Sequence, residues 1–244
     1  MYPFDDGPVV MGHRGAPHAA PENTPASFLA AWDVGASWVE LDVRRSSDGT
    51  AVVHHDPVTP DGVTVIERTA HDLANLGVWT LEAVLAGLPA GLGVDLEVKN
   101  LPGEPDFDAD DETARLVAAL LAGREDERRW MTSAFNPGTV TMLAEALPAI
   151  PAGQLHLSTM RPDAVAEYLA GSDVRVVCPQ VGADGLDADN IAKIHDRGFA
   201  VLVWTVDDVA EAERLAAAGA DAICTNRPGE VARALGLVSA DGES

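Results

Sequence analysis

The chain has 244 residues, with 16 Lys and Arg against 39 Asp and Glu and a formal net charge of −23. So acidic a balance excludes a nucleic-acid surface, which needs a cationic footprint, and docking to anionic lipid through a basic patch. With 47% apolar residues and two cysteines, Cys178 and Cys224, the composition is that of an ordinary globular protein without a disulfide framework or a Cys-rich zinc site.

Short apolar runs alternate with helical patterns, the signature of parallel βαβ units. Taken in order, the predicted strands and helices are Val9–Gly15 and the helix Thr24–Ala36, then Trp38–Arg44. An extended piece, Thr50–Asp56, follows the turn Ser47-Asp48-Gly49 and leads to the helix Thr80–Ala86. Next come Leu92–Lys99, an acidic stretch Glu104–Glu112 read as solvated exterior, and the helix Ala114–Ala122. Trp130–Phe135, Gly153–Leu157, Val174–Val181, Phe199–Val206 and Ala222–Thr225 are strands. Their helices are Pro137–Leu147, Pro162–Leu169, Ala188–Asp196, Val209–Ala218 and Glu230–Leu237. Gly123, Gly198 and Gly219 stand where left-handed helix caps want glycine. Eight units of about 30 residues each fit an α/β fold, one (β/α)8 TIM barrel of the usual roughly 250 residues. The whole chain, with a core of about 9–238, is expected to be one domain, and Ser239–Ser244 a frayed tail. No basic, apolar leader and no run of about 18 apolar residues is present, which predicts a cytoplasmic protein with no stable membrane anchor.

In such a barrel the chemistry sits at the C-terminal ends of the strands. Side chains alternate along a strand, so Glu40 and Asp42 share one face while Val39, Leu41 and Val43 share the other. The apolar set must face the helices, which turns the carboxylates inward. The next barrel strand does the same: Asp95, Glu97 and Lys99 lie opposite Val94, Leu96 and Val98. Buried carboxylates are costly without compensation, and an all-oxygen set of Glu40, Asp42 and Glu97 suits one hard divalent cation, Mg2+ or Ca2+. Lys99, nearer the strand end, can meet a phosphate. His13 closes the first strand beside Arg14, and His54 and His55 close another apolar run. Spacing leaves open which of that pair faces the mouth. Two imidazoles at one mouth suit general acid–base work near neutral pH. Trp204 ends the seventh strand as a candidate pocket wall, and Asn226 and Arg227 follow the eighth, where barrels often hold phosphate but a plain helix cap is also read. His71 and His195 are read as structural.

These segments resemble the glycerophosphodiester phosphodiesterase family: His13-Arg14-Gly15, Pro21-Glu22-Asn23-Thr24, Glu40-Leu41-Asp42-Val43, Val52-Val53-His54-His55-Asp56-Pro57, Leu96-Glu97-Val98-Lys99, Val203-Trp204-Thr205-Val206 and Gly219-Ala220-Asp221. The resemblance runs from residue 9 to about 230. It implies a metal on Glu40, Asp42 and Glu97, and an acid–base pair of His13 and His55, because the family's histidine directly precedes the Asp. It also implies a phosphate held by Arg14 and Lys99, a pocket lined by Trp204, and Glu22 and Asn23 fixing the loop. The implied reaction releases glycerol 3-phosphate and an alcohol from a small glycerophosphodiester. Lysophospholipid cleavage of the phospholipase D type, or a silent binding barrel, are the alternatives. Three departures stand out. Pro57 to Thr80 is short, which predicts a small lid. Asp207 stands where the family has Asn and Asn226 where it has Asp; both are expected to touch the phosphate-side loops, which bears on headgroup preference and not on the reaction class.

Overall fold

The computed structural model describes Phe4 and residues 7–238, so Ser239–Ser244 lie outside it. Eight parallel strands close on themselves: β1 (Val9–His13), β2 (Trp38–Arg45), β5 (Gly93–Val98), β6 (Trp130–Ala134), β7 (Ala152–His156), β8 (Val176–Pro179), β9 (Ala200–Val203) and β10 (Ala222–Thr225). Closure comes from β1 pairing with both β10 and β2, with His13 directly beside Glu40. Two further short strands, β3 (Ala51–Val53) and β4 (Trp79–Thr80), add antiparallel to the end of β2 and stand outside the barrel. Between them lie a 3₁₀ turn at Val65–Glu67 and a helix, α2 (Ala70–Ala74), over a small core of Val52, Val65, Leu73 and Val78. The segment predicted as a short lid therefore has a folded nucleus of its own.

The remaining helices ring the barrel: α1 (Pro25–Asp33), α3 (Leu81–Ala86), α4 (Glu112–Leu121), α5 (Pro137–Ala146), α6 (Pro162–Tyr168), α7 (Ala188–Asp196), α8 (Val209–Ala217) and α9 (Pro228–Ala234). Their starts are dictated locally. Thr24, Asn136, Asp187 and Asp208 each accept a hydrogen bond from a backbone N–H of the first turn, filling donors a helix leaves unpaired. None of the described helices is long and apolar enough to cross a membrane.

Strand alternation sorts the core into two regions. Val39, Leu41, Val43, Val94, Leu96 and Val98 face outward onto the helices. Met11, Trp38, Met131, Val176, Leu202 and Ala222 fill the barrel. Trp38 fits because its neighbour across the sheet is Gly93, where any side chain would overlap the indole. With the barrel floor filled by apolar groups, the polar inward residues of the same strands crowd at its C-terminal mouth.

Candidate active site at the barrel mouth

The register of β2 against β5 sets Glu40 beside Asp95 and Asp42 beside Glu97. Carboxylate oxygens of Glu40, Asp42 and Glu97 lie within 4.8 Å of one another, and all three residues are buried. Glu40 Oε1 finds no hydrogen-bond donor, and Asp42 Oδ1 faces the Lys99 ammonium at 3.4 Å without a hydrogen bond. Buried, closely spaced oxygens from an all-carboxylate set, one of them orphaned, fit a hard divalent cation. The charges respond to that crowding. Burial, with Asp42 and Glu97 nearby, pushes the Glu40 carboxyl well above its ordinary range. Burial also raises Glu97, though Lys99 opposes it. At Asp42 burial acts upward, but Lys99, His55 and Arg14 together bring it below the usual value. One layer down, burial lifts Asp95 to about 7, with Ser133 Oγ donating to it at 3.0 Å.

Both predicted phosphate-binding cations are at the mouth, where they neutralise these acids. Lys99 Nζ lies 2.7 Å from Glu97 Oε1 and 3.4 Å from Asp42 Oδ1. Arg14 Nε is 3.3 Å from Asp42 Oδ2, and its Nη1 donates to Glu22 at 2.9 Å. The Arg14 backbone has φ 55°, in the left-handed region that non-glycine residues seldom adopt. That conformation aims its N–H at Glu40 Oε2, 2.9 Å away. Asn23, also left-handed, donates through Nδ2 to Asp42 Oδ2 at 2.8 Å and accepts from the Asp42 N–H. Asn23 thus ties the first loop to Asp42, and Glu22 holds Arg14.

His13 is held from behind. Asp207 can only accept hydrogen bonds, so Asn226 must turn Nδ2 to it, at 2.8 Å, and Oδ1 toward His13. His13 Nδ1 therefore carries the proton it donates to Asn226, 2.8 Å away, and Nε2 keeps its lone pair, 4.0 Å from Glu40 Oε2. Burial and then Arg14 hold the His13 pKa below its ordinary value. Asn226 and Asp207 exchange residue types with each other and back up the histidine, while the Arg227 side chain forms an exposed pair with Glu230.

His55 lies beyond the barrel, after β3. It is near enough for its charge to bear on Asp42, Glu97 and His13. Its Nδ1 is 2.7 Å from Asp56 Oδ1. Its carbonyl accepts from Arg44 Nε at 2.8 Å and Nη2 at 2.6 Å. Arg44, 1% exposed, also pairs through Nη1 with Glu104 at 3.1 Å and Asp106 at 2.5 Å. The acidic stretch is therefore not simply solvated exterior. Its first acids compensate a buried guanidinium, and Asp108 pairs with Arg45. Arg44 was legible in principle: it continues the inward parity of Glu40 and Asp42, and a buried Arg on that face demands acids.

Trp204 lines the small chamber at the mouth together with His13, Glu40 and Glu97. Its Nε1 donates to the Cys178 carbonyl at 2.8 Å. Phe135 meets it edge-on, centroids 5.3 Å apart, and Lys99 Nζ stands 5.9 Å from the Phe135 ring. His71, on α2, and His195, which pairs with Asp221 at 2.8 Å, are not among the groups lining the chamber.

A model of the glycerophosphoryl diester phosphodiesterase family matches residues 13–230. The Bacillus subtilis protein YhdW is 28% identical over 245 residues, spanning 90% of this chain and 94% of its own. A glycerophosphodiester phosphodiesterase of Caldanaerobacter subterraneus is 26% identical, with coverage of 90% and 94%. Among solved structures, an Oleispira antarctica phosphodiesterase in complex with the product sn-glycerol-3-phosphate superposes with a TM-score of 0.78 at 27% identity, covering 94% of this chain and 97% of that one.

Proposed function

The chain belongs to the glycerophosphoryl diester phosphodiesterase family, which makes it a phosphoric diester hydrolase; on that premise we propose that it cleaves a glycerophosphodiester to glycerol 3-phosphate and an alcohol, with Glu40, Asp42 and Glu97 holding one divalent cation, Mg2+ or Ca2+, and His13 and His55 moving the protons. The observation that carries the reading is the meeting of three buried carboxylates, one with an orphaned oxygen, and two imidazoles at one barrel mouth. A similar protein bound to sn-glycerol-3-phosphate supports the product.

A cation in that cradle supplies Lewis acidity toward the phosphoryl oxygens. Arg14 and Lys99 add positive charge where negative charge develops in the transition state, and between substrates they keep Asp42 ionised. His13 is neutral, with its lone pair on Nε2, so it takes the proton from the attacking oxygen. His55, whose Nδ1 bonds Asp56, protonates the leaving alkoxide through Nε2. Trp204 and Phe135 wall the inner end of the site against water.

Release of glycerol 3-phosphate from glycerophosphocholine tests the reading. It should vanish with EDTA and return with Mg2+ or Ca2+. Activity indifferent to chelation would remove the cation from the account. No turnover of any diester by folded protein supplied with metal would remove the reaction.

A further inference from the structure

Beside the mouth a groove of about 780 Å3 opens between the ends of β5, β6 and β7 and the helix α6, within the size range of sites for small organic ligands. It shares Glu97 and Leu155 with the inner chamber, whose free volume of about 20 Å3 admits little more than a water-sized group. The diester must therefore extend outward, and the groove runs directly from Lys99. Its surface is apolar. Leu101, Leu157, Met160 and Tyr168, all large and exposed, line it together with Phe135, an arrangement that soluble surfaces keep for binding.

Its wall carries two acceptors without donors. Gln154, 5% exposed, spends Nε2 on the carbonyls of Ala134, Phe135 and Leu155 and leaves Oε1 unpartnered. His156, 3% exposed, lies beside the Leu157 carbonyl at 3.2 Å; a carbonyl only accepts, so Nδ1 donates and Nε2 is left as a free, buried lone pair. Buried acceptors left unpaired are costly, and a ligand bearing an O–H or N–H would satisfy them.

We propose that this groove is the subsite for the alcohol half of the diester, and that it selects an alcohol with an apolar body carrying a hydrogen-bond donor, over a small or purely cationic one. The proposal rests on the phosphodiesterase reading and names the substrate class for it. Continuity with Glu97 and Lys99 at one end favours the substrate as occupant over a second copy of the chain.

The test is a series of sn-glycero-3-phosphoalkanols from methyl to hexyl, with glycerophosphocholine as reference. A fully buried methylene is worth up to about fourfold; in a half-open groove about twofold per methylene is expected, or roughly thirtyfold in kcat/KM across the series. A hydroxyl-bearing alkyl should exceed its plain counterpart, and His156→Phe should erase that difference. Leu157→Asn, at an exposed position, should flatten the chain-length dependence. Methyl shifts of Leu157 and Met160 on adding 1,6-hexanediol read groove occupancy independently of turnover. Shifts without hydrolysis of any diester would leave the groove standing and sink the phosphodiesterase reading. Hydrolysis with a flat series, or self-association abolished by Leu157→Asn with no diol binding, would overturn the groove.

Discussion

His13 and His55 reach the same mouth by different routes. His13 ends a barrel strand, is 17% exposed, and has its proton placed by a chain of two side chains, Asn226 and Asp207. His55 rides on the β3 excursion, is 34% exposed, and among the described residues has its ring bonded only to the neighbouring Asp56. What is fixed about His55 is its backbone, gripped by Arg44. The barrel thus specifies which nitrogen of His13 is free, while the excursion specifies where His55 stands.

The sharpest way to break this contrast is to remove each ring. His13→Ala and His55→Ala should each lower kcat by about 10²–10⁴. Added imidazole should restore part of the rate only in His55→Ala, whose vacated space opens to solvent. Equal rescue of both would show that the two environments are equivalent. Next in size is Arg44→Met, which leaves Glu104 and Asp106 facing a gap. Breaking a buried pair costs about 3–5 kcal/mol, seen as a drop in denaturation midpoint, whereas Arg44→Lys should keep the fold and lower kcat with KM nearly unchanged. A KM effect alone would mean that Arg44 does not position His55.

Beneath the His13 wall, Asp95 has its carboxyl raised to about 7 by burial. The sign follows from linkage. Below about pH 4 both folded and unfolded chains hold the proton, and there is no penalty. Between about 4 and 7 the unfolded chain ionises first, so stability falls as pH rises. In the metal-free protein Asp95→Asn should therefore stabilise by on the order of 4 kcal/mol at pH 8 and by little at pH 4. A pH-independent gain would contradict the assignment. The smallest effect belongs to Asn226→Asp. A carboxylate facing His13 Nδ1 favours the imidazolium and should move the ascending limb of the pH–rate profile upward by about one unit. Adding Asp207→Asn should relieve the new repulsion between positions 226 and 207 and recover stability without moving the limb back.

Much of this was legible in the chain. The alternation of Val39, Leu41 and Val43 against Glu40 and Asp42 leaves no other inward set, because a closed barrel allows only two faces. All eight barrel strands follow from such runs. The excursion between β3 and β4 escaped, since a 3₁₀ turn and a five-residue helix have too little periodicity to read. The roles of Asp207 and Asn226 escaped for another reason: each departs from the family pattern alone, and only contact reveals that they compensate each other. Arg44 pairs with acids 60 and 62 residues away, a distance that no local pattern spans.

The division of labour between the two histidines is tested most directly by kcat/KM for glycerophosphocholine as a function of pH, with Mg2+ or Ca2+ present. The wild type should show an ascending limb set by His13, whose pKa burial holds low; His13→Ala should lose that limb and His55→Ala should keep it. Two variants that lose the same limb, or a wild type that releases no glycerol 3-phosphate at any pH, would contradict it.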